Sequence, residues 1–159
     1  WNLDWLKRME ADVMYYPNYM DLPKDIYSRM VHLAESYDVL RKRRQEIENE
    51  ILYAHSSLQF IARGSGVSDP TGHKAEKLIL RKKEVERKIS AIEQAWESFD
   101  TPMHREVIRK NLFEGVPMEQ INLPCSVRTM KRIRKRFLTA LAENLNEMIQ
   151  KFKVAEFNE

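Results

Sequence analysis

A lone cysteine is all the thiol chemistry this sequence offers: Cys125 excludes an internal disulfide and agrees with a reducing compartment. Glycine is also scarce, four in 159 residues, three of them in the stretch 63–72, so no glycine-rich loop is available to cradle a phosphate. No apolar run approaches the roughly 18 residues of a membrane span, and the sequence does not open on a basic region followed by an apolar stretch. His32, His55, His73 and His104 are scattered without metal-ligand spacing, and Cys125 has no catalytic partner near it in sequence. These absences lead to the expectation of a soluble, cytoplasmic protein that is not an enzyme and carries neither cofactor nor metal.

What is present favours helices. A 32% charged fraction with few glycines reads as all-α, and 43% hydrophobic content suffices for one ordinary core or two small ones. Three segments stand out. Residues 1–23 begin with Leu3, Leu6, Met9, Val13 and Met14 on one helical face and break at Pro17 and Pro23. Tyr15, Tyr16 and Tyr19 then read as an aromatic turn pinned against neighbouring helices.

Residues 24–100 carry the clearest period. Ile26, Met30, Leu33, Tyr37, Leu40, Arg44, Ile47, Ile51, Ala54, Leu58 and Ile61 alternate by four and three without a slip, a heptad seam on one long helix. Glycines in "RGSGVSDPTG" end that helix, and Asp69, Pro70 and Thr71 start another. Its seam is Ala75, Leu78, Lys82, Val85, Ile89, Ile92, Trp96 and Phe99. Two seamed helices joined by a short loop predict a long antiparallel hairpin, a coiled-coil arm. Within it "RKRR" (41–44) and "RKK" (81–83) lie close to Glu46, Glu48, Glu50, Glu84 and Glu86, and read as a solvated face of mixed charge.

Residues 101–159 hold the chemistry. A helix is predicted from Thr101 and Pro102 to a stop at Gly115, with Val107, Ile108, Leu112 and Phe113 buried. A very short helix follows Pro117, then the turn "NLPCS", then a helix from Val127 to about Phe152 capped by Ser126. Helix, short helix, tight turn and basic helix is the layout of a helix-turn-helix, whose last helix enters the major groove.

The charge distribution singles out that last helix. Residues 1–100 carry 16 Lys/Arg against 17 Asp/Glu, whereas residues 101–159 carry 11 against 7. Arg128 to Arg136 contains six basic residues and no acid. Met130, Ile133, Phe137 and Leu141 recur at three and four as the buried stripe, which turns Arg128, Thr129, Lys131, Arg132 and Lys135 away from it. Arg128 and Arg132, like Lys131 and Lys135, are like-charged neighbours one turn apart, an arrangement a polyanion relieves. Together with Arg136 these form the candidate DNA-binding set: arginine suits guanine O6 and N7, threonine a thymine methyl, and lysine a phosphate.

The stretch "PMEQI…LPCSVRTMKRIRKRFL" resembles the sigma-70 region 4 type of helix-turn-helix in bacterial sigma factors. Pro117 to Ile121 match the opening helix, Cys125 and Ser126 the turn, and Arg128, Thr129 and Arg132 the contacting positions. The stretch from Ile121 to Ser126 is about two residues shorter than the usual motif, which shortens the bracing helix or tightens the turn. With "YYPNY", "VSDPTG" and "RTMKRIRKR", the wider chain is similar to phage transcriptional activators of the RinA and ArpU type. The resemblance implies a sequence-specific regulator of phage or mobile-element origin acting on double-stranded DNA, with RNA polymerase and a second copy of the chain as further candidate partners. Leu141, Leu145, Met148, Ile149 and Phe152 supply the stripe for that second copy or for packing back on the arm. The competing reading is an oligomeric coiled-coil interaction protein or a phage DNA-packaging recognition subunit.

Overall fold

The computed structural model describes residues 22–61 and 70–146. Every regular element among them is helical, and no strand is present among the described residues. In chain order they are α1 (Lys24–Glu35), α2 (Tyr37–Ile61), α3 (Pro70–Glu97), α4 (Pro102–Ile108) running into a π-helical turn (Arg109–Phe113), a 3-10 turn (Met118–Gln120) and α5 (Val127–Asn144). The helix and aromatic turn expected before Leu22, the glycine-rich connection 62–69 and the apolar stripe beyond Asn146 lie outside the described residues.

The long first seam is not one helix. It is interrupted at Ser36, whose hydroxyl donates to the Leu33 carbonyl at 2.8 Å. A serine hydroxyl that takes a carbonyl one turn back competes with the helical ladder and bends it. The seam residues keep their spacing across the break but change partner. Ile26, Met30 and Ala34 of α1 enter a cluster shared with the end of α3, the π turn and α5, whereas α2 packs along α3 and its Ile47, 1% exposed, is buried outside that cluster.

The direction of α2 against α3 follows from two polar contacts. Tyr37 Oη donates to Glu93 Oε1 at 2.8 Å, and Lys82 Nζ lies 3.4 Å from Glu48 Oε1. Partners fall in number along α3 as they rise along α2, so the two helices run antiparallel. Lys82 occupies an apolar position of its seam at no great cost, because Glu48 across the seam and Glu86 one turn on both hold its ammonium.

The main core does not divide at residue 100. It joins α1, the last turns of α3 (Ala91, Ile92, Ala95, Phe99), α4 with its π turn (Val107, Ile108, Leu112) and the inner face of α5 (Met130, Ile133, Phe137, Leu138, Leu141). Phe99 and Phe137 are wholly buried. Arg105 builds the corner between α3 and α4: its Nε donates to the Phe99 carbonyl at 2.6 Å and its Nη2 to the Glu97 carbonyl at 3.3 Å, so the chain turns while the orphan carbonyls at the end of α3 stay satisfied. Trp96 Nε1 donates to the Arg105 carbonyl at 3.1 Å and closes the same corner.

The segment expected to run to Gly115 as an ordinary helix changes pitch. After Ile108 the ladder widens, with Glu114 N donating to Arg109 O at 3.0 Å, and ends when Val116 N reaches Lys110 O at 2.9 Å across Gly115 at φ +70. That left-handed position suits glycine. The final helix is shorter than expected. It ends at Asn144 rather than near Phe152, with Asn146 at φ +57 in the left-handed conformation that commonly stops a helix.

Candidate nucleic-acid interface

The start of α5 is set by its turn. Cys125 N donates to Leu123 O at 2.7 Å, and Ser126, in extended conformation, accepts from Thr129 N at 3.2 Å. That is an N-cap, which fixes where the first helical turn begins and therefore which residues face outward. The element before the turn is the three-residue 3-10 turn Met118–Gln120, with Met118 and Ile121 buried as its anchors. Where the layout calls for a bracing helix, the chain has less than one α-turn.

Arg128, Lys131 and Arg132 are exposed and Lys135 is half-exposed, all on one side of the first turns of α5. Arg128, Lys131 and Arg132 have no carboxylate partner among the described residues. Cations elsewhere are mixed: Arg43 pairs with Glu46, Lys82 with Glu48, Arg87 and Lys88 with Glu84, and Lys110 with Glu106, whereas the exposed Lys42, Arg81 and Lys83 have no carboxylate partner among the described residues. Arg109 bonds both Glu106 and Glu114, and its hydrogen bond to Glu106 holds that carboxyl below the usual range. What distinguishes the front of α5 is density: Arg128, Lys131 and Arg132 fall within five residues that contain no acid.

Three residues in the basic run are placed differently from the exposed group. Thr129 is half-buried, with its hydroxyl 3.0 Å from Ser126 Oγ inside the cap. Arg136 lies with its guanidinium carbon 4.8 Å from the centroid of the Phe99 ring. Arg134 lies 6.0 Å from the Tyr27 centroid and donates to Asn111 Oδ1 at 3.4 Å. At about 100° per residue, Arg134 and Arg136 stand roughly 200° apart around the helix. In the first turns of α5 they flank the arc that holds Arg128, Lys131, Arg132 and Lys135; further along the helix Leu138 and Ala142 fall in the same sector and are wholly buried.

No protein family matches this chain, and neither does any curated protein or solved structure. The chemistry of the surface is what remains.

Behind α5, the first turn of α2, the end of α3 and the π turn enclose a cleft of about 290 Å³ that sequence reasoning missed. Tyr37 and Phe113 meet at 4.8 Å between centroids and Trp96 and Phe113 at 6.2 Å, with Arg41 over the Tyr37 ring at 5.8 Å. Burial, reinforced by the hydrogen bond to Glu93, pushes the Tyr37 phenol up to about 12. The cleft presents the Tyr37, Trp96 and Phe113 rings, with Asp38, Arg41 and the paired Arg109 and Glu114 at its edges. Among the described residues no cluster of histidine, cysteine or carboxylates could hold a metal ion, and no helix is long and apolar enough to cross a membrane.

Proposed function

We propose that the chain is a sequence-specific double-stranded DNA-binding transcriptional regulator of phage or mobile-element type, reading the major groove with the first turns of α5. The observation that carries this reading is the exposed, uncompensated set Arg128, Lys131 and Arg132 on a helix capped by Ser126 and preceded by a tight turn. Arg128 and Arg132 serve as base readers, since a guanidinium fork matches guanine O6 and N7. Lys131 and Lys135 serve as phosphate contacts. The likeness to region 4 of sigma factors and to activators of the RinA and ArpU type supports the same reading. A 3-10 turn in place of a full bracing helix leaves fewer backbone contacts, and more of the affinity then rests on α5.

The test is selection of bound fragments from genomic duplex DNA, followed by titration of the selected site at several salt concentrations. A reader yields one enriched site, with affinity that falls steeply as salt rises. A second reading, a coiled-coil interaction protein, draws on Leu52, Tyr53 and Leu80, which are 66%, 77% and 65% exposed on α2 and α3. That reading predicts no affinity for duplex DNA.

A further inference from the structure

We infer that Arg134 and Arg136 are positioning residues, which turn their charges inward to fix the angle at which α5 presents its other cations; this rests on the DNA reading above. Arg134 is half-buried, its Nε is buried without a hydrogen-bond partner, and its Nη1 donates to Asn111 Oδ1 at 3.4 Å. Asn111 in turn donates to the Val116 carbonyl at 3.0 Å. The guanidinium face lies toward Tyr27. One side chain therefore ties α5 to α1, to the π turn and to the loop that leads into the 3-10 turn.

Stability alone gives no reason for arginine here. A buried donor without an acceptor is unfavourable, and methionine would fill similar space without one. What arginine adds is a flat group that stacks on a ring while donating in its own plane, which restricts rotation of the helix that carries it. On the opposite side of the first turns the Arg136 guanidinium lies over Phe99 at the end of α3. With a grip at each edge, α5 cannot turn about its axis without breaking one of them. Over the first turns of α5 the exposed arc between the grips is the proposed reading surface, where a small rotation displaces every long side chain.

The experiment uses the full chain with Arg134→Met, Arg134→Lys, Arg136→Met and Tyr27→Leu. Backbone residual dipolar couplings, recorded without DNA, give the orientation of α5 relative to α1 and α3. Both methionine variants should retain helicity and reorient α5. Arg134→Lys should do the same, because lysine keeps the charge and loses the planar fork. Tyr27→Leu removes the ring and no charge, and should reproduce the Arg134→Met shift even if that variant folds poorly. On DNA, preference for the selected site over single-base variants should fall by about tenfold, the scale of one lost bidentate contact, with the salt slope unchanged. An unmoved α5 in Arg134→Met, Arg136→Met and Tyr27→Leu overturns the inference. So does a salt slope made shallower by about one unit in Arg134→Met and restored in Arg134→Lys, the signature of a phosphate contact. Wild-type protein that binds no duplex removes the DNA reading, and the dipolar couplings still decide the positioning role.

Discussion

Tyr37 and Glu93 meet 56 residues apart in sequence, the phenol donating to the carboxylate at 2.8 Å, and this bond sets the register of α2 against α3. Folding raises the Tyr37 pKa from 10.0 to about 12, through burial first and the Glu93 bond second, so the native state holds the proton more tightly than the unfolded chain. The contribution of the pair is fully present below pH 10.0 and is lost between there and about 12. Phenolate absorbance should show a step near pH 12 that is missing in Tyr37→Phe. Titration curves of wild type and Tyr37→Phe that do not differ in that range would contradict the pairing.

Antiparallel packing of α2 on α3 depends on Ile47, 1% exposed. Ile47→Asp removes roughly 2 to 3 kcal/mol of apolar burial and adds the cost of a carboxylate left without a partner. A large drop in melting temperature should follow. Leu80→Asp, at a site 65% exposed on α3, is the matched control and should stay within about 0.5 kcal/mol of wild type. Equal effects of the two in thermal melts would contradict the packing.

The cap at the front of α5 joins Ser126 Oγ to Thr129 N at 3.2 Å. Ser126→Ala should cost about 1 kcal/mol, and Ser126→Asp should recover most of it. Amide exchange at residues 127–130 is the direct readout, because loss of the cap frays the first turn before the rest of the helix. Unchanged protection there in Ser126→Ala would show that the hydroxyl does not hold the turn.

Much of the fold is legible in the sequence because it is written locally. Pro70, Pro102 and Ser126 mark helix starts at or next to their observed positions, and Met130, Ile133, Phe137 and Leu141 all face the core. The break at Ser36 is not legible, since the four-three spacing passes through it unchanged while the partner switches from α5 to α3. The π turn hides for a similar reason: Val107, Ile108 and Leu112 are buried with the spacing an α-helix would give them. The end of α5 hides behind apolar residues that continue the stripe past the left-handed Asn146. In the candidate site, the outward placement of Arg128, Lys131 and Arg132 follows from helical period alone. The inward turn of Arg134 and Arg136 does not, because Tyr27 and Phe99 come from elements distant in sequence.

The most direct test of the central claim is the salt dependence of binding to the selected duplex for wild type, Arg132→Ala and Lys131→Ala, measured by fluorescence anisotropy. Arg132→Ala should weaken the selected site by about 1 to 3 kcal/mol and relax preference at one base pair. Lys131→Ala should weaken all sequences alike and make the slope shallower by about one unit. Distinct signatures of this kind are the predicted result. Small, equal losses on every sequence with folding intact, or no duplex binding at low salt, would contradict it.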